Sequence, residues 1–289
     1  MRTRALVAIV VSTALVIAMK WLVTRVEPRL TFFPSAGETE TPKSIGLEYE
    51  AVSMRTADGE TIAAWWIAHE AARADIVYFH GNGGNLSIWL PILAGVQASG
   101  LNVLAFDYRG YGRSTGSPTE KGLYRDADAV LAELAGLRQR ESAAGSTVRR
   151  PTIYWGRSLG GPVAAYATTV TRPDGLILES TFPDKGAVLG RQFVLRTLNL
   201  LASFRFETAD MLRGFDRPTL VMHGDADSVV PYAAGRALFE RLSEPKRFVT
   251  LRGADHNDFH PATAREYWAA VNDLVSQAGA ARVERVTGE

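Results

Sequence analysis

The sequence has no cysteine, almost no net charge and none of the common nucleotide-binding or zinc-protease motifs. The lack of cysteine in 289 residues excludes disulfides, thiolate zinc sites and a cysteine nucleophile. The net charge is only +1, and lysine and arginine form no stripe along the sequence. The chain therefore has no positive electrostatic field that could hold nucleic acid. Walker, H-E-x-x-H and dinucleotide-binding patterns are all missing. What remains is an ordinary globular composition, 46% hydrophobic and 22% charged, which predicts a folded core.

The N-terminal segment is the least polar part of the chain. Residues 5–19 are apolar apart from one serine and one threonine, and these fifteen residues form a helix of only about 22 Å. Counting on to Val23, with Lys20 reaching the interface, gives about 28 Å, close to a hydrocarbon layer. We therefore predict a single-pass membrane anchor over residues 1–25. A cleaved signal peptide or a buried core helix are the alternatives, and positive charges on both flanks leave the side of the membrane open.

The rest of the chain has the pattern of a mixed α/β domain. Residues 26–44 contain three prolines and no clear period, which predicts a linker. An antiparallel hairpin and then short apolar strands alternating with helical segments follow, which is typical of a parallel sheet with crossover helices. We predict one domain over residues 45–280 and a C-terminal tail over 281–289. The predicted strands are 47–54, 61–67, 75–79, 102–106, 152–155, 175–179, 219–222 and 247–251.

One serine lies in a turn of a kind that commonly exposes a nucleophile. Ser158 is the central residue of a G-x-S-x-G pattern, after the apolar run 152–155 and before a predicted helix. This strand–turn–helix presents the hydroxyl at the top of a sheet. A side chain at Gly156 or Gly160 would collide across the sharp turn, which explains the glycines. The pattern alone also fits an incidental serine, so the prediction depends on whether Ser158 has partners.

Two later loops offer those partners. A serine nucleophile needs an imidazole to take its proton and a carboxylate to hold that imidazole. For the chain order serine, acid, histidine, we predict His256, in the loop after the last strand, with His260 as the alternative. The acid should follow the strand 219–222. We predict Asp227, which is deeper in that loop, whereas Asp225 is expected to bond its own backbone in a turn.

Two backbone N–H groups are predicted to stabilise the oxyanion that forms when a carbonyl is attacked. One is that of Leu159, the residue after the serine, and the other lies in the glycine-rich loop after strand 75–79. Asn82 is the predicted second donor and Gly83 the alternative, because glycines let the backbone approach a substrate closely. His80, at the start of the same loop, is predicted to contact the substrate.

A long apolar stretch separates the strands 175–179 and 219–222. It is too long for a simple crossover and is rich in leucine and phenylalanine. A stripe of this kind is usually core, and the alternative is a small lid or groove wall over the serine. In the second case Phe182 and Phe193 are predicted to contact the substrate.

The motifs together resemble the α/β-hydrolase superfamily, and most closely its membrane-anchored branch of lysophospholipid lipases and protein depalmitoylases. The resemblance covers roughly residues 32–275. The runs that carry it are F-F-P-S (32–35), H-G-N-G-G-N (80–85), D-Y-R-G-Y-G-R-S (107–114), G-R-S-L-G-G (156–161), E-S-T-F (179–182), H-G-D-A-D (223–227) and H-N-D-F (256–259).

This resemblance implies an α/β-hydrolase fold with a mostly parallel central sheet, helices on both faces, antiparallel first strands and a small cap or none. It implies that Ser158, Asp227 and His256 hydrolyse acyl esters or thioesters, on small-molecule or lipid-like substrates near a membrane, without a metal or organic cofactor. The run 107–114 is expected to be structural, with its aspartate and arginine tying a tight turn. A serine peptidase of the same fold and a catalytically silent membrane-tethered binding protein are the alternatives.

Overall fold

The central element of the fold is an eight-stranded sheet. The structure is a computed structural model, and it describes residues 2–189, 204–258 and 264–287. The strands in these residues are β1 (Phe33–Pro34), β2 (Glu50–Arg55), β3 (Thr61–Ile67), β4 (Asp75–Phe79), β5 (Gly83–Gly84), β6 (Asn102–Phe106), β7 (Thr152–Arg157), β8 (Gly175–Glu179), β9 (Thr219–Gly224) and β10 (Lys246–Leu251). The helices are α1 (Arg2–Thr31), α2 (Leu90–Ala98), α3 (Glu120–Ala143), α4 (Gly160–Val170), α5 (Lys185–Leu189), α6 (Thr208–Met211), α7 (Tyr232–Arg241) and α8 (Ala264–Thr287).

The large sheet is mostly parallel. Its strands lie in the order β2-β3-β6-β4-β7-β8-β9-β10. Neighbours from β6 to β10 run parallel, whereas β3 runs antiparallel to both β2 and β6. The chain thus enters the sheet through an antiparallel hairpin and continues as β-α-β units. This confirms the predicted α/β-hydrolase sheet with antiparallel first strands.

The two faces of the sheet carry separate apolar cores. On one face α3, α4 and α7 contribute buried residues such as Val130, Val163 and Leu238. On the other face α2 and α8 contribute Leu93 and Val271 among others. Strand β4 is buried at every position because helices cover it on both sides, which is why its sequence after Asp75 is a continuous apolar run and not an alternating one.

The order of the central strands creates a crevice at one edge of the sheet. Strands β4 and β7 are neighbours, but the chain leaves β4 towards β6 on one side and leaves β7 towards β8 on the other. In open α/β sheets ligands bind at such a reversal, outside the carboxyl ends of the strands. The loop after β4 and the turn after β7 therefore face each other across this crevice.

The N-terminal helix extends into the region predicted as a linker. Helix α1 continues through Pro28 to Thr31, so the linker prediction is wrong for residues 26–31. The reason is tertiary packing: Phe32 is buried, with its ring 5.2 Å from that of Phe204 and 6.5 Å from that of Phe206. These contacts hold the last helical turn against the domain and override the proline signal.

Most of α1 lies away from the domain. Its segment Ile9–Thr31 is long and apolar enough, by length and composition, to cross a membrane, and it is not buried in the fold. At 1.5 Å per residue this segment measures roughly 34 Å, slightly more than a hydrocarbon layer of about 30 Å. The predicted N-terminal apolar helix is thus present.

Both ends of the folded domain extend beyond the predicted 45–280. At its start, β1 pairs in parallel with β5, so the packing of the domain begins at Phe32. At its end, α8 continues to Thr287, although residues 281–289 were expected to form a tail. Arg282 lies 2.8 Å from Asp174, and Arg285 bonds the same carboxylate. These ion pairs to the segment before β8 keep the last turns helical.

The run 107–114 is structural, although its charged side chains do not tie the turn to itself. The guanidinium of Arg109 donates to Asp126 of α3 at 2.9 Å and to Asp58 of the β2–β3 turn at 2.9 and 3.0 Å. Asp107 accepts from the backbone N–H of Leu86 at 2.9 Å. The aspartate and arginine therefore hold this turn by joining it to three other segments.

Replacing Arg109 with methionine should lower the free energy of unfolding by about 3–5 kcal/mol, because the fully buried Asp126 would lose its cationic partner. Urea denaturation followed by circular dichroism in detergent measures the loss. Arg113→Met is the matched control: it lies in the same run, its side chain is 68% exposed and it lies 3.4 Å from Glu38. The control should change stability by less than about 1 kcal/mol. Equal losses in the two variants would contradict the structural role of Arg109.

Candidate active site

Ser158 follows directly after β7 in a strained backbone conformation. Its φ angle is +50°, in the left-handed region that residues with a side chain rarely adopt. Its N–H donates to the carbonyl of Glu179 at 2.9 Å, and its own carbonyl accepts from the Thr181 hydroxyl at 2.7 Å. A Cβ atom at Gly160 would lie 1.9 Å from the carbonyl oxygen of Phe79, so only glycine permits this tight turn.

The structure brings Ser158, His256 and Asp227 into one hydrogen-bonded chain. The Ser158 Oγ lies 3.0 Å from His256 Nε2, and His256 Nδ1 lies 2.8 Å from Asp227 Oδ2. When Nδ1–H donates to the carboxylate, Nε2 is left as the acceptor for the serine proton. This arrangement can activate a hydroxyl as a nucleophile.

The carboxylate of Asp227 is held on both oxygens. Its Oδ1 accepts from the N–H groups of Val229 at 2.9 Å and Val230 at 2.7 Å, and its Oδ2 faces His256. Burial raises the pKa of Asp227, but hydrogen bonds from His223 and His256 outweigh that effect and hold it well below its usual range. Asp227 is therefore an anion at neutral pH, as a group that stabilises an imidazolium must be.

His223 supports the acid, and sequence reasoning did not identify this role. It is fully buried at the end of β9, and its Nε2 lies 2.9 Å from the carbonyl of Val230 and 3.3 Å from Asp227 Oδ2. A Cβ at Gly235 would lie 2.2 Å from the ring, so α7 packs directly on this histidine. The available signal was the H-G-D-A-D run, which places an imidazole four residues before the predicted acid.

Two other aspartates join the acid loop to the loop of His256. Asp225 accepts from the N–H of Gly253 at 2.6 Å, so the prediction that it bonds its own backbone is wrong. Asp255 accepts from the N–H of Ser228 at 2.7 Å. These bonds cross between neighbouring loops after β9 and β10, and they fix the separation of Asp227 and His256.

Arg157, the residue before the serine, is a second contributor that the sequence did not reveal. One arm of its buried guanidinium pairs with Glu179 and the other donates to the carbonyl of His256. Glu179 also accepts from the Trp155 indole N–H at 2.9 Å and from the Tyr267 hydroxyl at 3.0 Å. The bonds of Arg157 thus anchor the backbone of the His256 loop to the end of β7.

A cavity of about 530 Å³ lies above these residues. Ser158 and His256 line it, together with all of the predicted oxyanion donors, Leu159, Asn82 and Gly83. Its other lining residues are Glu27, Leu30, Thr31, Phe33, Gly81, Ile88, Trp89, Phe182, Lys185, Val188, Phe204, Phe206, Val229, Val230 and Asn257. Ser158 and the glycine-rich loop therefore line the same largely apolar cavity.

Only one of the three residues predicted to contact the substrate is found to line the cavity. Phe182 lines the cavity, and Phe193 lies outside the described residues. His80 does not line the cavity: it is fully buried, donates to the Gly81 carbonyl at 2.6 Å and packs 4.4 Å from the Tyr108 ring. Burial lowers the pKa of His80 to about 4, so it is a neutral core residue, and the prediction that it contacts the substrate is wrong.

Across residues 2–189, 204–258 and 264–287, no cluster of three His, Asp or Glu side chains is placed to hold a metal ion.

Comparison with known proteins identifies the family. A model described as the alpha/beta hydrolase family matches residues 76–282. The chain belongs to the alpha/beta hydrolase family. The membrane protein YNL320W of Saccharomyces cerevisiae is 32% identical over 247 residues, covering 83% of this chain and 84% of that one. The alpha/beta hydrolase domain-containing protein WAV2 of Arabidopsis thaliana is 30% identical over 250 residues, 79% of each chain. The esterase Pf2001 of Pyrococcus furiosus shares the fold, with a TM-score of 0.66 at 20% identity over 85% of this chain and 97% of that one.

Replacing Asp227 with asparagine should lower the free energy of unfolding by about 1–3 kcal/mol at pH 7, because charged hydrogen bonds are lost. The pKa of Asp227 is lower in the folded than in the unfolded protein, so its stabilising effect is complete above about pH 4 and declines as the pH falls further. The deficit of the variant should therefore shrink between pH 4 and pH 2 in urea denaturation. Asp225→Asn, which keeps an acceptor for Gly253, is the control. A deficit that is independent of pH would contradict this expectation.

Proposed function

We propose that the protein is a serine hydrolase that cleaves acyl ester or thioester bonds through an acyl-enzyme intermediate. The observation that carries this proposal is the hydrogen-bonded chain from Ser158 through His256 to Asp227 at the base of an apolar cavity. Membership of the alpha/beta hydrolase family supports it, as does the fold shared with a solved esterase.

The geometry supports a two-step reaction. The Ser158 Oγ attacks the acyl carbon while His256 Nε2 takes the hydroxyl proton, and the anionic Asp227 stabilises the imidazolium. His256 then gives that proton to the departing alkoxide or thiolate as its bond to the acyl carbon breaks, so an alcohol or thiol is released and the acyl group stays on the serine. In the second step His256 takes a proton from water, the hydroxide attacks the acyl carbon, and the serine oxygen leaves with the proton returned to it.

Backbone N–H groups stabilise the negative charge that develops on the attacked carbonyl oxygen. Leu159 supplies one donor and Asn82 the other, with Gly83 as the alternative; each is worth about 3–4 kcal/mol in the transition state. The Tyr111 hydroxyl supports the choice of Asn82, since it bonds both the side-chain oxygen of Asn82 at 2.9 Å and its carbonyl at 3.0 Å. These bonds fix the loop before substrate arrives.

The cavity favours an acyl chain as the bound group. Its volume of about 530 Å³ is typical of a small-molecule site, and Phe33, Phe182, Phe204 and Phe206 line it. An apolar chain gains affinity from contact with such a wall, whereas a peptide backbone would leave polar groups unpaired there. We place the enzyme on a membrane through α1, which fits the description of the yeast relative as a membrane protein.

Replacing Ser158 with alanine should remove covalent labelling by a fluorophosphonate probe, because the nucleophile is gone. Turnover of 4-nitrophenyl esters should fall by a factor on the order of 10⁶. Intact mass and gel fluorescence measure labelling, and Ser53→Ala, at an exposed position of β2, is the control that keeps both. Labelling of the alanine variant at the wild-type rate would exclude Ser158 as the nucleophile.

Long-chain acyl substrates should be preferred over short ones. Burial of each methylene is worth about 0.8 kcal/mol, so kcat/KM should rise roughly three- to fourfold per added carbon until the cavity is filled. Acyl esters and thioesters from two to sixteen carbons, assayed below the concentration at which they form micelles, measure the slope. Cleavage of short peptide amides with no action on long esters would indicate a peptidase instead.

A further inference from the structure

The C-terminal end of helix α1 reaches the cavity that holds Ser158. Glu27, Leu30 and Thr31 line this cavity, and so does Phe33 directly after the helix. Leu30 and Phe33 are 71% and 60% exposed, so two large apolar residues lie open on the cavity that Ser158 also lines. They offer a ready surface for an apolar ligand.

This end of the helix is bonded to the loop that carries the predicted oxyanion donors. The Asn82 side chain donates to the carbonyl of Thr31 at 2.5 Å. Strand β1 pairs with β5 so that Phe33 lies opposite Gly83, and the N–H of Ser35 donates to the carbonyl of Gly84 at 2.8 Å. The position of the helix end relative to the serine is therefore set by backbone hydrogen bonds.

A charged group attaches this end of the helix to two other segments that line the cavity, at Phe204 and Lys185. Glu27 accepts from the N–H of Phe204 at 3.4 Å. It also interacts with Lys185 at the start of α5: burial lowers the pKa of Lys185, and the negative charge of Glu27 opposes that shift. Contacts with Asn82, Phe204 and Lys185 thus hold the last turns of α1 in place.

The charges of α1 locate this end of the helix at the membrane surface. Arg25, Glu27 and Arg29 fall in its last third and Lys20 lies just before it, and the guanidinium of Arg25 lies 4.7 Å from the ring of Trp21. Tryptophan and arginine are typical of the interface between lipid and water. Leu30 follows Arg25 by five residues, which is about 7.5 Å along the helix and within the headgroup layer.

We propose that the last turn of the membrane helix forms one wall of the acyl-binding site, with Leu30 and Phe33 against the acyl chain of a substrate embedded in the adjoining leaflet. This inference rests on the proposed function. It extends that function because it makes the substrate a membrane-embedded acyl ester or thioester that enters the site directly from the bilayer. It also makes α1 a permanent part of the enzyme, because removal of the helix as a signal peptide would open the cavity on that side.

A single introduced thiol tests the proposal, because the full-length chain has no cysteine of its own. Leu30→Cys is reconstituted in phosphatidylcholine vesicles and treated with a methyl or a hexadecyl fluorophosphonate, which attach a short or a long chain to Ser158. The rate at which a maleimide then modifies the thiol is measured by mass spectrometry. We expect the hexadecyl group to slow this rate roughly tenfold, since a ligand chain in a pocket covers most of its wall, and the methyl group to leave it unchanged.

Val26→Cys is the matched control. Val26 lies one turn earlier on α1, is 41% exposed and does not line the cavity, so neither phosphonate should alter its reaction. Failure of both phosphonates to modify Ser158 would overturn the proposed function itself. Modification of Ser158 without protection at position 30, or with equal protection at positions 26 and 30, would overturn only the role of the helix.

Discussion

The buried ion pair between Arg157 and Glu179 is the contact on which the geometry of the site depends. Both side chains are only 3% exposed, and removing one partner of such a pair typically costs about 3–5 kcal/mol. The pair therefore locks the ends of β7 and β8 side by side. Because Arg157 directly precedes Ser158 and also bonds the carbonyl of His256, one guanidinium positions the strand of Ser158 and the loop of His256 together.

The parts of the fold that depend on local pattern follow from the sequence. Strands β3, β4, β6 and β8 begin and end where their apolar runs predict, because turn residues bound them and strands covered on both faces must be apolar throughout. Ser158, Asp227 and His256 could be selected for a related reason. Each follows a parallel strand, and parallel strands bring their carboxyl ends to one edge of the sheet.

The features that the sequence did not predict depend on contacts between distant residues. Helix α1 continues past Pro28 because Phe32 packs against Phe204, and no local signal reports that contact. His80 is polar and follows a strand, so it resembled a substrate ligand, yet the rings of Trp89 and Tyr108 enclose it. Local pattern gives the position of a residue on the sheet edge, whereas packing decides whether it faces the cavity or the core.

The glycine-rich loop after β4 links helix α1 to the site. A Cβ at Gly81 would lie 2.9 Å from the Trp89 ring and one at Gly84 2.8 Å from Ile88, whereas one at Gly83 would meet nothing within 4 Å, so side chains pack on either side of Gly83 but not at it. Its position is set by pairing with β1, by the bond from Asn82 to Thr31 and by Tyr111. A backbone held in this way keeps its N–H groups aligned only while its partners stay fixed. The end of α1 is one of those partners, so the attachment of the helix and the alignment of the predicted oxyanion donors are a single structural constraint.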